Sequence, residues 1–139
     1  MKLTFNHGQR FAVPEKLIAI LNSEISKIDK IEPDVSAITF NFRDENYSSS
    51  HGGFHPVEIR LVNSDNLWQF EYITDFSYHG EPYPELVKEI DVCFLSGQIG
   101  TIYSGCLQGE AATELISLFL SNFINYIEMN VFTVSVTFD

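Results

Sequence analysis

An α+β domain built on one antiparallel sheet is the fold this sequence predicts, and three features of its apolar spacing point there. Two segments, one near each end, repeat their apolar residues every three to four positions. Most of the chain between them alternates with a period of two. The strand-like segments also follow one another directly, without the intervening helices that a parallel sheet needs for its crossovers. With 139 residues the chain is expected to form a single domain over 1–139, a size at which about 68% of the unfolded surface can be buried without a metal or disulfide staple. Hydrophobic residues make up 45% of the chain and Phe alone contributes twelve, so a closed core is expected and disorder is confined to loops.

The first helix opens at Pro14-Glu15-Lys16, where Leu17, Ile18, Leu21, Ile25 and Ile28 form one apolar stripe. Proline in a first turn sacrifices an N–H that has no helical partner anyway, and Pro33 sets the limit of the helix. From residue 36 the period changes. Ile38, Phe40 and Phe42 alternate with Thr39, Asn41 and Arg43, and Val57, Ile59 and Leu61 alternate with Glu58, Arg60 and Val62, which predicts two strands with one buried face. Between them Tyr47 to Pro56 reads as a long loop whose Gly52 and Gly53 allow positive backbone dihedrals.

Asn63-Ser64-Asp65-Asn66 is turn-forming, and residues 67 to 75 return with Trp68, Phe70 and Tyr72 assigned to one face, completing a hairpin. After Pro82 and Pro84, a second hairpin runs through Ile90, Val92 and Phe94, turns at Ser96-Gly97-Gln98, and comes back over residues 99 to 106. Gln108-Gly109-Glu110 then leads into the longest helical stripe, Ala112, Leu115, Ile116, Phe119, Leu120, Phe123, Ile124 and Ile127. Phe132, Val134, Val136 and Phe138 end the chain as a strand.

Charge is distributed by region. Residues 1 to 60 carry eight acids and seven bases, whereas residues 61 to 139 carry eleven acids against Lys88 alone, so the second part holds -10 of the net -11. A one-sign surface of this kind repels nucleic acid and anionic lipid and steers basic partners toward itself. Glu71, Asp75, Glu81, Glu85, Glu89 and Asp91 are the carboxylates expected to form a partner-binding acidic face, and the alternative reading is a solvated face that keeps the domain soluble.

No catalytic signature is present, and the chain is expected not to be an enzyme. His51 and His55 are four apart, but Gly52, Gly53 and Pro56 exclude the helix that would bring both rings to one metal, so no metal or other cofactor is expected. The competing function is a small-ligand protein or enzyme in which the His51 and His55 loop converges with Asp75, Tyr78 and His79 in one pocket. Cys93 and Cys106 lie in apolar strand-like runs and read as buried thiols, with a pairing across the second hairpin left open. Glycines at 97, 100, 105 and 109 are too dispersed for a phosphate loop. Neither a signal-peptide pattern nor a run near the roughly 18 apolar residues of a membrane span occurs, so a cytoplasmic location is expected. Leu118 and Tyr126 broaden the apolar stripe of the long helix, which would also suit a homo-oligomer contact.

The runs Tyr47-Ser48, His51-Gly52-Gly53-Phe54-His55-Pro56-Val57-Glu58-Ile59, Tyr72-Ile73-Thr74-Asp75-Phe76-Ser77-Tyr78 and Asn122-Phe123-Ile124-Asn125-Tyr126 resemble an uncharacterised gamma-proteobacterial family, a domain of unknown function whose members often lie on mobile genetic islands. That family is similar in fold to the mitochondrial acidic matrix protein family, also called mitochondrial glycoprotein. The resemblance implies a strongly twisted antiparallel sheet flanked by N-terminal and C-terminal helices. It also implies a non-enzymatic acidic protein that binds other proteins. The mitochondrial relatives form ring trimers, but the final strand here departs from their helical ending, so trimerisation is not implied. A non-enzymatic module that engages basic proteins or peptides is the leading expectation.

Overall fold

A computed structural model describes residues 1–139. Helix α1 (Glu15–Ser26) precedes strands β1 (Ala37–Arg43), β2 (Val57–Ser64), β3 (Leu67–His79), β4 (Glu85–Cys93), β5 (Gln98–Thr101) and β6 (Gly105–Leu107). Helix α2 (Gly109–Glu128) and strand β7 (Thr133–Phe138) follow. All seven strands join one sheet in the order β6-β5-β4-β3-β2-β1-β7, with every neighbouring pair antiparallel. The fold is therefore α+β, as the apolar periodicity requires. No helix is long and apolar enough to cross a membrane.

One face of the sheet carries the core. Phe40, Ile59, Ile73, Val92 and Ile99 lie opposite one another across five strands, and all are fully buried. Leu17, Leu21 and Ile25 of α1 and Ala112, Ile116, Leu120 and Phe123 of α2 join the same cluster, so both helices cover this face. The stripes at three- and four-residue spacing bury themselves because only one side of each helix can reach the sheet. On the other face Thr39, Asn41, Glu58, Arg60 and Tyr72 are half-buried and exchange side-chain hydrogen bonds.

The β2–β3 hairpin turns through Asp65 and Asn66, with φ of 53° and 67°, the left-handed conformation at both positions that a tight two-residue turn demands. Beyond it the expected alternation fails. Arg60 is opposite Tyr72 but Leu61 is opposite Phe70, so Glu71 is an extra residue on β3. This bulge reverses the facing of everything after it. Trp68 and Phe70 remain in the core, whereas Tyr72 turns to the outer face and donates to the Glu58 carboxylate. Its placement with Trp68 and Phe70 on one face is thus corrected. Burial first, and the Glu58 contact second, raise the Tyr72 phenol pKa far above its ordinary value.

A second bulge lies between β3 and β4, where Asp75 is opposite Ile90 but Phe76 is opposite Lys88, leaving Glu89 extra. Residues 99 to 106 also differ from expectation. Ile102–Ser104 form a turn that splits them into β5 and β6, and Gly105 adopts φ 68° at its end. Cys106 is consequently exposed and Cys93 only half-buried, correcting their reading as buried thiols. Strand β5 lies between them, pairing Gln98 with Cys93 and Gly100 with Cys106, so both thiols are free.

The residues before α1 carry no helix or strand periodicity, yet Leu3, Phe5 and Phe11 are buried. Strand β4 ends at Cys93 opposite Tyr72, which leaves the β3 backbone from Trp68 to Phe70 without a strand on that side. The N-terminal segment supplies the missing partners. Trp68 donates to the Thr4 carbonyl at 2.8 Å, and Asn6 donates to the Trp68 carbonyl at 2.9 Å. The Gln9 amide both accepts from Phe70 N at 2.7 Å and donates to its carbonyl at 2.9 Å. Buried backbone groups must be paired somewhere, and here they recruit a segment with no strand periodicity of its own.

Candidate functional site

The loop between β1 and β2 is built around Asp44, whose carboxylate accepts Asn46 N at 2.9 Å and Phe54 N at 3.0 Å. These two amides hold its pKa below the usual carboxylate range. Gly53 has φ 128°, and a Cβ there would meet Asp44 Oδ2 at 2.8 Å and Tyr47 Cα at 3.1 Å, so only glycine fits. Tyr47 packs its ring against both His55 and Tyr78, with centroids 5.4 and 5.2 Å away, and its hydroxyl accepts Tyr78 N at 3.1 Å. Loop residues 54 and 55 are thereby pinned beneath α2.

His55 meets two carboxylates there. Its Nδ1 lies 3.1 Å from Asp75 Oδ2 and 2.9 Å from Glu89 Oε2. Asp75 points inward from β3 opposite Val57, and its second oxygen accepts Ile90 N at 2.8 Å. The amide it satisfies is the one that follows the extra residue on β4. Glu89 is that extra residue, and the bulge directs its side chain to the inner face. Side-chain exposure is 8% for Asp75, 17% for Glu89 and 38% for His55.

These groups form the floor of a cavity of about 390 Å³ between the sheet and α2. Its walls are mainly apolar, Phe54, Leu115, Phe119, Phe123, Tyr126 and Phe132, with Asn122 the polar exception on α2. Phe54 packs on Tyr126 at 4.8 Å, and Phe123 on Phe132 at 5.7 Å. An apolar concavity with a few converging polar groups is the general form of a ligand site. A larger groove, about 570 Å³, runs between residues 10–16 and α2 but gathers no comparable cluster.

The hydrogen bond with Asp75 is the main cause raising the His55 pKa; desolvation opposes it and the Glu89 charge assists. A histidine whose pKa is raised on folding stabilises fully below the unfolded value, about 6.5, and that contribution is lost as pH rises through the folded value. His55 is therefore expected to titrate above this value in NMR spectra. Wild-type stability should fall as pH rises through that range more steeply than in His55→Gln; identical slopes would show that the pairing has no thermodynamic weight.

The two expected clusters are reorganised. His55, Asp75 and Glu89 converge, with Tyr78 joined only through Tyr47. His51 stays exposed, hydrogen-bonded to Ser50 at 2.9 Å, and His79 bonds Ser77 at 2.7 Å and faces Tyr103. Nor do the six carboxylates share a face. Asp75 and Glu89 enter the pocket. Glu71 pairs with Arg60 at 3.5 Å, and Asp91 accepts from Thr74 at 2.6 Å and lies 3.7 Å from Lys88. Glu81 and Glu85 are exposed before and at the start of β4. The single acidic sheet face is thus corrected to separate groups, because the Glu71 and Glu89 bulges break the alternation that would have aligned them. Phe54 and Phe132 were missed as pocket walls, and their large apolar side chains were the only signal in sequence.

Two solved structures resemble this chain over nearly its full length. The hypothetical protein VC0508 from the Vibrio cholerae VSP-II pathogenicity island is 36% identical with a TM-score of 0.91, covering 99% of this chain and 100% of that one. The conserved hypothetical protein VC1805 from the Vibrio cholerae pathogenicity island VPI-2 is 35% identical with a TM-score of 0.80, covering 93% and 97%. VC1805 is described as sharing structural homology with the human P32 protein, the mitochondrial glycoprotein group to which the motifs pointed. No curated protein matches. Residues 15–137 match the description "protein of unknown function (DUF2787)", and the chain belongs to that family.

Proposed function

We propose that this protein is a binding module that anchors a basic side chain of a partner protein in the cavity between the sheet and α2. The observation that carries this reading is the floor, where two carboxylates face one imidazole beneath apolar walls. With His55 protonated or neutral the floor stays negative, so a cation is the complementary charge. The apolar walls suit the methylene stem of Lys or Arg, whose head reaches the carboxylates while its stem covers apolar surface. Excess acid over residues 61–139 steers basic chains toward this site. The resemblance to the acidic mitochondrial family points the same way. The role is association, with no bond-making step assigned to any residue.

A labelled peptide of alternating Arg and Leu, followed by fluorescence anisotropy, tests this. A hydrogen bond to a charged group is worth about 1.5–3 kcal/mol, so Glu89→Gln is expected to weaken binding roughly tenfold or more. Binding should also weaken as salt is raised. The outer-face pair Glu71→Gln and Asp91→Asn should change affinity far less. Unchanged affinity in Glu89→Gln, or a greater loss from the outer-face variant, would overturn the pocket reading.

A further inference from the structure

We propose that the floor of this cavity is a divalent-cation site, with His55 Nδ1, Asp75 Oδ2 and Glu89 Oε2 as its protein ligands and a first-row ion such as Zn²⁺ as its occupant. All three atoms lie within 4.8 Å of one another. The direction of convergence singles them out from an ordinary ion pair. An imidazole Nδ1 carries at most one hydrogen, yet both carboxylate oxygens approach that same nitrogen, at 2.9 and 3.1 Å. One hydrogen shared between two acceptors makes a three-centre bond that is weaker to each than a single direct one. Three lone-pair atoms converging on one point are what a metal ion requires.

Spacing and chemistry agree. Metal–nitrogen and metal–oxygen bonds of about 2.0–2.2 Å put neighbouring ligand atoms about 2.8–3.6 Å apart, shortest for octahedral and longest for tetrahedral coordination. The two Nδ1–oxygen separations, 3.1 and 2.9 Å, fall at the short end of that range. One imidazole and two carboxylates suit Zn²⁺, Fe²⁺ or Mn²⁺ and lack the thiolate that soft ions select. With a neutral imidazole the set carries two negative charges, matched by a dication. The ligands are also oriented from outside: Ile90 N holds Asp75 Oδ1 at 2.8 Å, and Tyr47 packs on the His55 ring. Three protein ligands leave coordination positions that face the cavity, the arrangement of open metal sites.

This inference does not rest on the basic-anchor reading, and it constrains that reading, since a dication on the floor cancels the charge that a basic side chain would meet. Isothermal titration of the full chain with Zn²⁺ alone is expected to show one ion per chain and a raised melting temperature. Loss of a ligand in Glu89→Gln or His55→Gln should weaken binding more than about 100-fold, above the range for second-layer contacts. Glu89→His restores a nitrogen ligand and should retain Zn²⁺ while Glu89→Gln loses it, which separates ligation from a damaged fold. Zn²⁺ should also displace the Arg-Leu peptide. Absence of binding to the wild type, or wild-type affinity in both Gln variants, would overturn the site. Zn²⁺ binding without peptide binding would overturn only the basic anchor, and peptide binding without Zn²⁺ only the metal site.

Discussion

Phe42→Ala is expected to lower the unfolding free energy by about 3–5 kcal/mol in urea denaturation, the range for truncating a buried Phe. Phe42 is fully buried on β1, opposite Val57 of β2 and Val134 of β7. Its ring meets Phe123 edge-on at 5.0 Å and Phe132 at 6.0 Å. Phe132 follows α2 and precedes β7, so Phe42 is the side chain against which the C-terminal crossover closes. Alanine would remove those contacts and leave a void that two flanking strands cannot collapse to fill. Phe123 and Phe132 also line the cavity beneath α2, so the void should open into it and loosen its wall. Against a total stability of about 5–15 kcal/mol, a loss of this size is a large share of what holds the chain folded. A loss below about 1 kcal/mol would show that this corner of the core is not closed around Phe42.

Asp75→Ala is expected to act on stability and function together. The carboxylate is buried and serves two groups, Ile90 N on one oxygen and His55 on the other. Alanine leaves the bulge amide of β4 without its acceptor, at about 1–3 kcal/mol for an unsatisfied buried group. It also releases Glu89 from its position, because the bulge is what turns that residue inward. Hydrogen exchange at the Ile90 amide should accelerate, and both peptide and Zn²⁺ binding should be lost. Asp75→Asn distinguishes the two roles. Its carbonyl oxygen can still accept Ile90 N, so much of the stability should return, while the His55 titration should shift back toward the ordinary value and ligand binding should remain weak. Slow Ile90 exchange in Asp75→Ala would show that the amide finds another acceptor and that Asp75 does not hold the bulge.

Both helices, the strand alternation and the Asp65-Asn66 turn were legible in the sequence, because each is a local pattern in which burial of one face dictates spacing along a single segment. The fold class followed from the order of those patterns. What the sequence could not disclose is how one strand registers against another. On either side of Glu71 and of Glu89 the alternation is regular, and an extra residue becomes visible only against a partner, where Arg60 meets Tyr72 and Asp75 meets Ile90. Those two insertions sent Tyr72 outward, brought Glu89 inward and divided the carboxylates that a strict period of two would have aligned. Residues 4 to 9 gained their place because β4 stops short and exposed β3 backbone must be paired, a demand written in another part of the chain. The site has the same origin. His55, Asp75 and Glu89 come from a loop, a strand and a bulge with no shared spacing, so their chemistry was readable residue by residue, but only tertiary structure decided that they meet beneath α2.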